Sequence, residues 1–244
     1  MLITTSNSPM AKLVQCFDTA TKGIKADALA FIAGKRTPVT ARAFIGLSKN
    51  SKMPAYTFAI PARQACPRGD KLAEIAGTVC SGCYATKGHD AMRPAKDAKA
   101  RRWAVADLAA KHSEIKGLWI DAYQIAMKKE KHFRWHSAGD LYSDDYTFLV
   151  ATAIKATPHV SHWIPTRQAN QAKMLHKLPN AVVRVSDDMV NQESNKWHGH
   201  TSGVHTKDHG GRGVQCHANK NEGSCGDCRA CWSPSVAHVS YEIH

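Results

Sequence analysis

The chain has 244 residues, 43% of them hydrophobic and 22% charged, which suits one globular domain with a buried core and excludes a disordered or fibrous protein. No run approaches the roughly 20 apolar residues that cross a bilayer, so no membrane partner is expected. Lysine and arginine outnumber aspartate and glutamate 33 to 20, and the resulting +13 favours a polyanionic partner, nucleic acid (DNA or RNA), through counterion release.

Residues 1–50 read as a mixed N-terminal extension, with no basic or apolar leader at its start and one short helix over 27–34, broken before Pro38. By default this points to the cytoplasm. Residues 48–52 are polar and read as a loop. Residues 55–60 carry strand formers and stop at Pro61. An irregular stretch, 66–88, holds Cys66, Cys80 and Cys83, and a loop of that length in a compact domain is functional or tied down. A basic helix follows over 92–112. Ile115, Leu118, Trp119, Ala122, Ile125 and Ala126 then give a second, amphipathic one.

From there strands and helices alternate: strand 132–136, a helix capped by Ser143 or Asp144 and ended by Pro158, strand 159–164, helix 168–177, strand 181–185. Such alternation implies parallel βαβ units. Residues 51–190 are thus an α/β core. Residues 191–244 read as a Gly- and His-rich loop, a cysteine-rich tail, and a last strand over 236–243. The whole, 1–244, reads as a single domain without repeats.

Eight cysteines are present, and in an intracellular chain such clustering reads as metal binding. Cys66, Cys80 and Cys83 form one candidate ligand group. Cys225, Cys228 and Cys231 form another, with Cys216 as fourth ligand and His217 or His238 as alternatives. Spacing favours metal without choosing between an iron–sulfur cluster and zinc. Cys16 has no grouped partner. His198, His200, His205, His209 and His217 fit no standard site and read as part of a polar loop.

Polar residues collect where strands end, the edge that carries active sites in parallel α/β proteins. His136, Ser137 and Asp140 follow one strand, Arg167 the next, Asp187 the third. A carboxylate there serves as base, nucleophile or anchor, or only as a turn residue after Gly139. Arg167 suits a carboxylate or phosphate, or a plain ion pair with Asp187. Arg93, Lys96, Lys99, Arg101 and Arg102 share one helix, either as a phosphate-tracking face or as a solvated one.

Several segments resemble the bacteriophage gene product 88 family: residues 48–62, Cys66-Pro67, residues 80–85, residues 133–140 with Tyr142-Ser143, and residues 163–167. The resemblance spans roughly residues 45–235 and implies a phage origin, hence a host-cytoplasmic location, more than a reaction. Motif order more distantly resembles radical S-adenosylmethionine enzymes. That resemblance implies that Cys66, Cys80 and Cys83, with Tyr84 alongside, hold a cluster that binds S-adenosylmethionine. Ser137, Gly139 and Asp140 would then face its methionine part, and Arg167 or Asp187 the remainder, with an auxiliary cluster or zinc on Cys216, Cys225, Cys228 and Cys231. Cys225, Cys228, Cys231 and His238 also resemble the zinc site of 7-deazaguanine transglycosylases. The expectation is an α/β fold, a partial (β/α) barrel-like parallel sheet with a cysteine-rich metal-binding loop and a C-terminal knuckle. Its leading function is radical S-adenosylmethionine-like modification of nucleic acid or a nucleotide. A base-exchanging transferase and a non-catalytic zinc-stabilised nucleic-acid-binding protein are the alternatives.

Overall fold

A computed structural model describes residues 7–50 and 53–243 of the chain. Residues 1–6, read above as lacking a leader, and Ser51 and Lys52, read as loop, lie outside the described residues. Among the described residues no helix is long and apolar enough to cross a membrane.

Proline at the first turn and a side-chain cap start two of the N-terminal helices. Ser8 Oγ accepts from the Ala11 amide (3.1 Å) at the head of α1 (Pro9–Gln15). After α2 (Lys22–Ile32), Thr37 and Thr40 form a reciprocal capping box for α3 (Pro38–Ile45). Leu13, Phe31, Phe44 and Ile45 enter the main core, with Phe31 and Phe44 stacked at 5.1 Å. The described N-terminal residues are therefore built into the domain body.

The remaining elements are β1 (Ser48–Lys49), β2 (Tyr56–Thr57), α4 (Pro67–Leu72), α5 (Arg93–Lys111), α6 (Ser113–Met127), β3 (His132–Arg134), α7 (Asp144–Lys155), β4 (Ser161–Thr166), α8 (Ala169–Leu175), β5 (Ala181–Val190), β6 (Thr201–His205), β7 (Val214–Gln215) and β8 (His238–Glu242). The strands make one mixed, mostly parallel sheet in the order β1-β2-β3-β4-β5-β6-β8-β7, and only β1 with β2 is antiparallel. The βαβ alternation expected from sequence is present from β3 to β5.

Period-two alternation divides each strand between two faces. Phe133, Ile164, Val183 and Val185 turn to the helices, where α6 buries Ile115, Trp119, Ala122, Tyr123 and Ala126 at helical spacing. Trp119, Tyr123 and Trp135 form an aromatic tier, with Trp119 and Tyr123 stacked at 5.5 Å. Inside it His162 Nδ1 accepts from Trp135 Nε1 (3.2 Å), so its Nε2 proton faces Thr157 Oγ1 (3.1 Å). Burial holds His162 down at about 3, a neutral imidazole. Arg134, Trp163, Arg184 and Tyr241 turn to the other face, which a smaller cluster of Ala55, Trp163 and Trp232 covers.

Several features depart from the sequence reading: β1 lies in residues read as loop, β4 runs on through Pro165, and β7 comes from the same stretch read as loop as β6. β5 runs on to Val190, so Ser186, Asp187 and Asp188 lie inside a strand, with a register shift against β6 between Ser186 and Val190. β6 emerges from the stretch read as loop. Its Thr-Ser-Gly-Val-His composition carries little strand propensity, and pairing on both sides by β5 and β8 supplies what local preference lacks.

Candidate functional site

The exit of β3 shapes the C-terminal edge of the sheet. His136 has φ +49° and Gly139 φ +83°, so the chain reverses sharply after Trp135. A Cβ on Gly139 would lie 2.2 Å from Ile60 Cγ1 and 3.0 Å from the Ile60 carbonyl oxygen, so glycine lets residues 58–60 lie against 134–138. Asp140 then reaches into the next strand end. Its carboxylate accepts from the Leu141 amide (2.7 Å), Thr166 Oγ1 (2.5 Å) and the Arg167 amide (2.9 Å). Burial raises its pKa, and these hydrogen bonds and the Arg167 charge partly oppose that. Asp140 is thus a joint between β3 and β4, with both oxygens occupied by protein donors.

His136 is also buried. Its Nε2 lies 2.9 Å from the Tyr146 hydroxyl, and burial, then Arg134, hold its pKa down at about 3. Its Nδ1 has no partner. The Tyr84 hydroxyl donates to the Ser137 carbonyl and ties the cysteine loop to the β3 exit. Arg167 Nη2 donates to the Asp187 backbone carbonyl (3.1 Å), not to its carboxylate. The Asp187 carboxylate, 2% exposed, accepts instead from Asn195 Nδ2 and Arg212 Nη2, both at 2.7 Å. Asp188 pairs with Arg68, whose Nε lies 3.2 Å from Oδ1.

Cys66 stands at the N-cap of α4, and the Cys83 amide donates to the Cys80 carbonyl (3.2 Å). Gly69 separates the first two thiols: a Cβ there would meet Cys66 Cβ at 3.2 Å and Cys80 Sγ at 3.4 Å. Burial pushes the Cys66 thiol up to about 12, with Asp140, Cys83 and Cys80 adding to it. Burial also raises Cys80, which Arg167 opposes. The three thiols therefore lie within electrostatic reach of one another and of Asp140. Among the described residues, however, no three or more His, Cys, Asp or Glu side chains form a closed metal-ligand set.

The second cysteine group lies on the opposite sheet face. The Cys216 amide donates to the Ser240 carbonyl (2.8 Å), the Cys228 amide to the Cys225 carbonyl (3.0 Å), and Cys231 Sγ lies 3.3 Å from the Tyr241 hydroxyl. Burial raises Cys225 and brings Cys231 to about 11. Arg184, fully buried, donates to the carbonyls of Ala230 (2.9 Å), Cys231 (3.1 Å), Ser233 (3.1 Å), Thr201 (3.3 Å) and Ala237 (3.5 Å). Trp232 Nε1 donates to the Phe133 carbonyl (2.9 Å). His238 is turned away from these thiols. Its Nδ1 lies 2.8 Å from Thr201 Oγ1, and its ring stands beside Gly203, a neighbour of Asp187. The four-ligand set with His238 is therefore not assembled.

Helix α5 uses its cations mostly for assembly. Lys99 Nζ pairs with Asp90 (2.5 Å), and Arg101 is buried. Arg102 donates to Ser48 Oγ (2.7 Å) and to the carbonyls of Gly46 and Ala59, and burial takes it down to about 10. Arg93 and Lys96 alone of the five remain at the surface, with Arg93 3.8 Å from Asp97. The loop histidines are dispersed: His200 Nε2 lies 2.8 Å from the Pro234 carbonyl, His205 Nδ1 3.1 Å from that of Thr206.

Beside the first cysteine group, across the ends of β4 and β5, opens a cleft of about 1080 Å³. Pro67 and Arg68 bring it to the cysteine loop, and Arg167 and Ser186 form its floor. Lys71, Gln168, Lys173, Lys196 and Trp197 also line it. Sequence reading passes over these five because α4, α8 and the segment before β6 contribute them separately, with no local spacing to mark them.

A family model described as gene product 88 matches residues 33–234 of the chain. No curated protein and no solved structure matches it.

Proposed function

The chain belongs to the gene product 88 family, and starting from there we propose that it is a thiolate-metal enzyme of bacteriophage that modifies nucleic acid or a nucleotide, by chemistry like that of radical S-adenosylmethionine enzymes. The observation that carries this reading is the neighbourhood of Cys66, Cys80 and Cys83. They gather beside Asp140 and Arg167 at the C-terminal strand edge, next to the large cleft. In this reading the sheet does what a partial barrel would, presenting its strand ends to a ligand.

The donor chemistry suits the group proposed. Thiolates select iron–sulfur clusters and zinc over hard cations. Burial and the nearby Asp140 raise the Cys66 and Cys80 thiols, Arg167 offsets this only in part at Cys80, and a bound metal would supply further positive charge. Cys66, Cys80 and Cys83 would hold it, and a cluster there supplies one-electron chemistry to S-adenosylmethionine. Asp140 fixes the Arg167 backbone, Arg167 orients the floor of the cleft, and Tyr84 holds the cysteine loop against Ser137. Cys216, Cys225, Cys228 and Cys231 would bind a second, structural metal that stiffens the tail.

The test is anaerobic purification from iron-replete cells, with iron, sulfide and zinc counted per chain, followed by an assay for S-adenosylmethionine cleavage. Iron with sulfide, lost on Cys83→Ala while the zinc count holds, is the expected result. Zinc alone at both groups overturns the radical reading and leaves a base-exchanging transferase or a zinc-stabilised nucleic-acid-binding protein.

A further inference from the structure

Unmet hydrogen-bonding capacity and unneutralised charge coincide in the cleft over β4 and β5. Arg167 Nε, Gln168 Nε2 and Trp197 Nε1 are shut away from water without a partner, and all three residues line it. Buried donors are nearly always satisfied in native proteins, and these three lie behind the cleft wall, so they meet a ligand's acceptors once their side chains turn outward. Lys71, Lys173 and Lys196 line the same walls, exposed and without an ion pair. Asp188, the one carboxylate of the lining, is already taken by Arg68.

We infer that this cleft is the phosphate-recognition site for the nucleotide units of the substrate. Lys71, Lys173 and Lys196 supply charge to the backbone, while Arg167 and Gln168 supply the directed donors. Trp197, in edge contact with His176 at 6.0 Å, adds aromatic surface for a base. At about 1080 Å³ the cleft lies at the upper end of the range for ligand sites, about 300–1,000 Å³, and has room for a nucleotide. The inference rests on the proposed function for the substrate class, and on the cleft alone for the residues.

The experiment is fluorescence anisotropy of a labelled single-stranded oligonucleotide across a salt series. It uses the full chain, both metal-loaded and metal-free. The variant Lys71→Ala/Lys173→Ala/Lys196→Ala is compared with Lys128→Ala/Lys129→Ala/Lys155→Ala, equal in charge and also exposed, and circular dichroism checks that both fold. The cleft variant is expected to bind at least about tenfold more weakly, with the slope of log affinity against log salt lower by about 2, three contacts at about 0.7 each. The control is expected to change about twofold or less. Equal losses in the two variants, or no loss in the cleft variant, overturn the inference. Displacement of the strand by a nucleoside triphosphate identifies the free nucleotide as the ligand, and strand binding without displacement identifies the strand; either upholds the site. Metal-loaded wild type that binds neither ligand overturns the site and, with it, the nucleic-acid or nucleotide substrate class, and leaves only the metal-dependent part of the proposed function standing. Binding by a protein that never takes up iron does the reverse.

Discussion

The two cysteine groups occupy opposite kinds of surroundings. Around Cys216, Cys225, Cys228 and Cys231 a buried hub ties the tail to the sheet: Arg184 meets five carbonyls and Trp232 Nε1 meets the Phe133 carbonyl, although Arg134 Nε, Trp163 Nε1 and Ser240 Oγ nearby are buried without a partner. Around Cys66, Cys80 and Cys83 the ties are fewer and a strained turn stands beside them. Arg167 Nε, Gln168 Nε2 and His136 Nδ1 are buried and unpartnered, and His136 holds a backbone angle that side chains rarely adopt. Satisfied networks rigidify, and local strain collects where a ligand is received. The difference teaches that a shared Cys-x-x-Cys pair does not fix its surroundings: one group is tied by an arginine hub, and the other sits beside a strained turn and the cleft.

The largest effect that can break this comparison is at Arg184. Arg184→Met leaves buried carbonyls without a donor and should lower unfolding free energy by about 3 kcal/mol in a urea titration. A loss below about 1 kcal/mol would mean that the tail is not fastened by this side chain. Acid comes next. The His136 folded pKa of about 3 lies below its ordinary 6.5, so the fold favours the neutral ring. The stability it contributes is present above pH 6.5 and is lost as pH falls toward 3, at about 1.4 kcal/mol per pH unit. His136→Gln should flatten that part of the stability–pH curve, and an unchanged slope would show that the β3 exit is less closed than described. Asp140→Asn follows, at about 1 kcal/mol, through the disturbed hydrogen bond to the Arg167 amide. It should weaken oligonucleotide binding while the zinc and iron counts stay the same. Smallest is Cys80→Ser in the metal-free protein, which should shift stability by less than about 1 kcal/mol because the partly buried thiol is replaced by a hydroxyl of similar size.

Much of the fold was legible because its signals are local. Helical spacing at Ile115, Trp119, Ala122 and Ala126 marks α6, and strand formers over 161–164 mark β4, although the strand runs on through Pro165. Asp140 and Arg167 were legible as strand-end residues, whereas Asp187 lies inside β5, and their actual links were not legible: Asp140 reaches the Arg167 amide, and Arg167 reaches a carbonyl rather than the Asp187 carboxylate. β6 was illegible because its strand state comes from its neighbours. The inward turn of Lys99, Arg101 and Arg102 was hidden for a similar reason. A charge run shows that a helix is basic, not which of its faces lies against Asp90 or the Gly46 carbonyl. Lys71, Lys173 and Lys196 meet only through tertiary structure, which a linear scan has no means to register.

The strand order bears on how the chain leaves the ribosome. β8 is made after β7 but inserts between it and β6, pairing with both in parallel. Until residues 238–242 emerge, β6 keeps one edge bare and β7 has nothing to pair with. All seven grouped cysteines are already synthesised by then, since the tail lies between β7 and β8. An exposed strand edge is a template for pairing with other chains. A translational pause between residues 216 and 237 would therefore prolong the most aggregation-prone interval in this protein's life, and rapid arrival of β8 ends it.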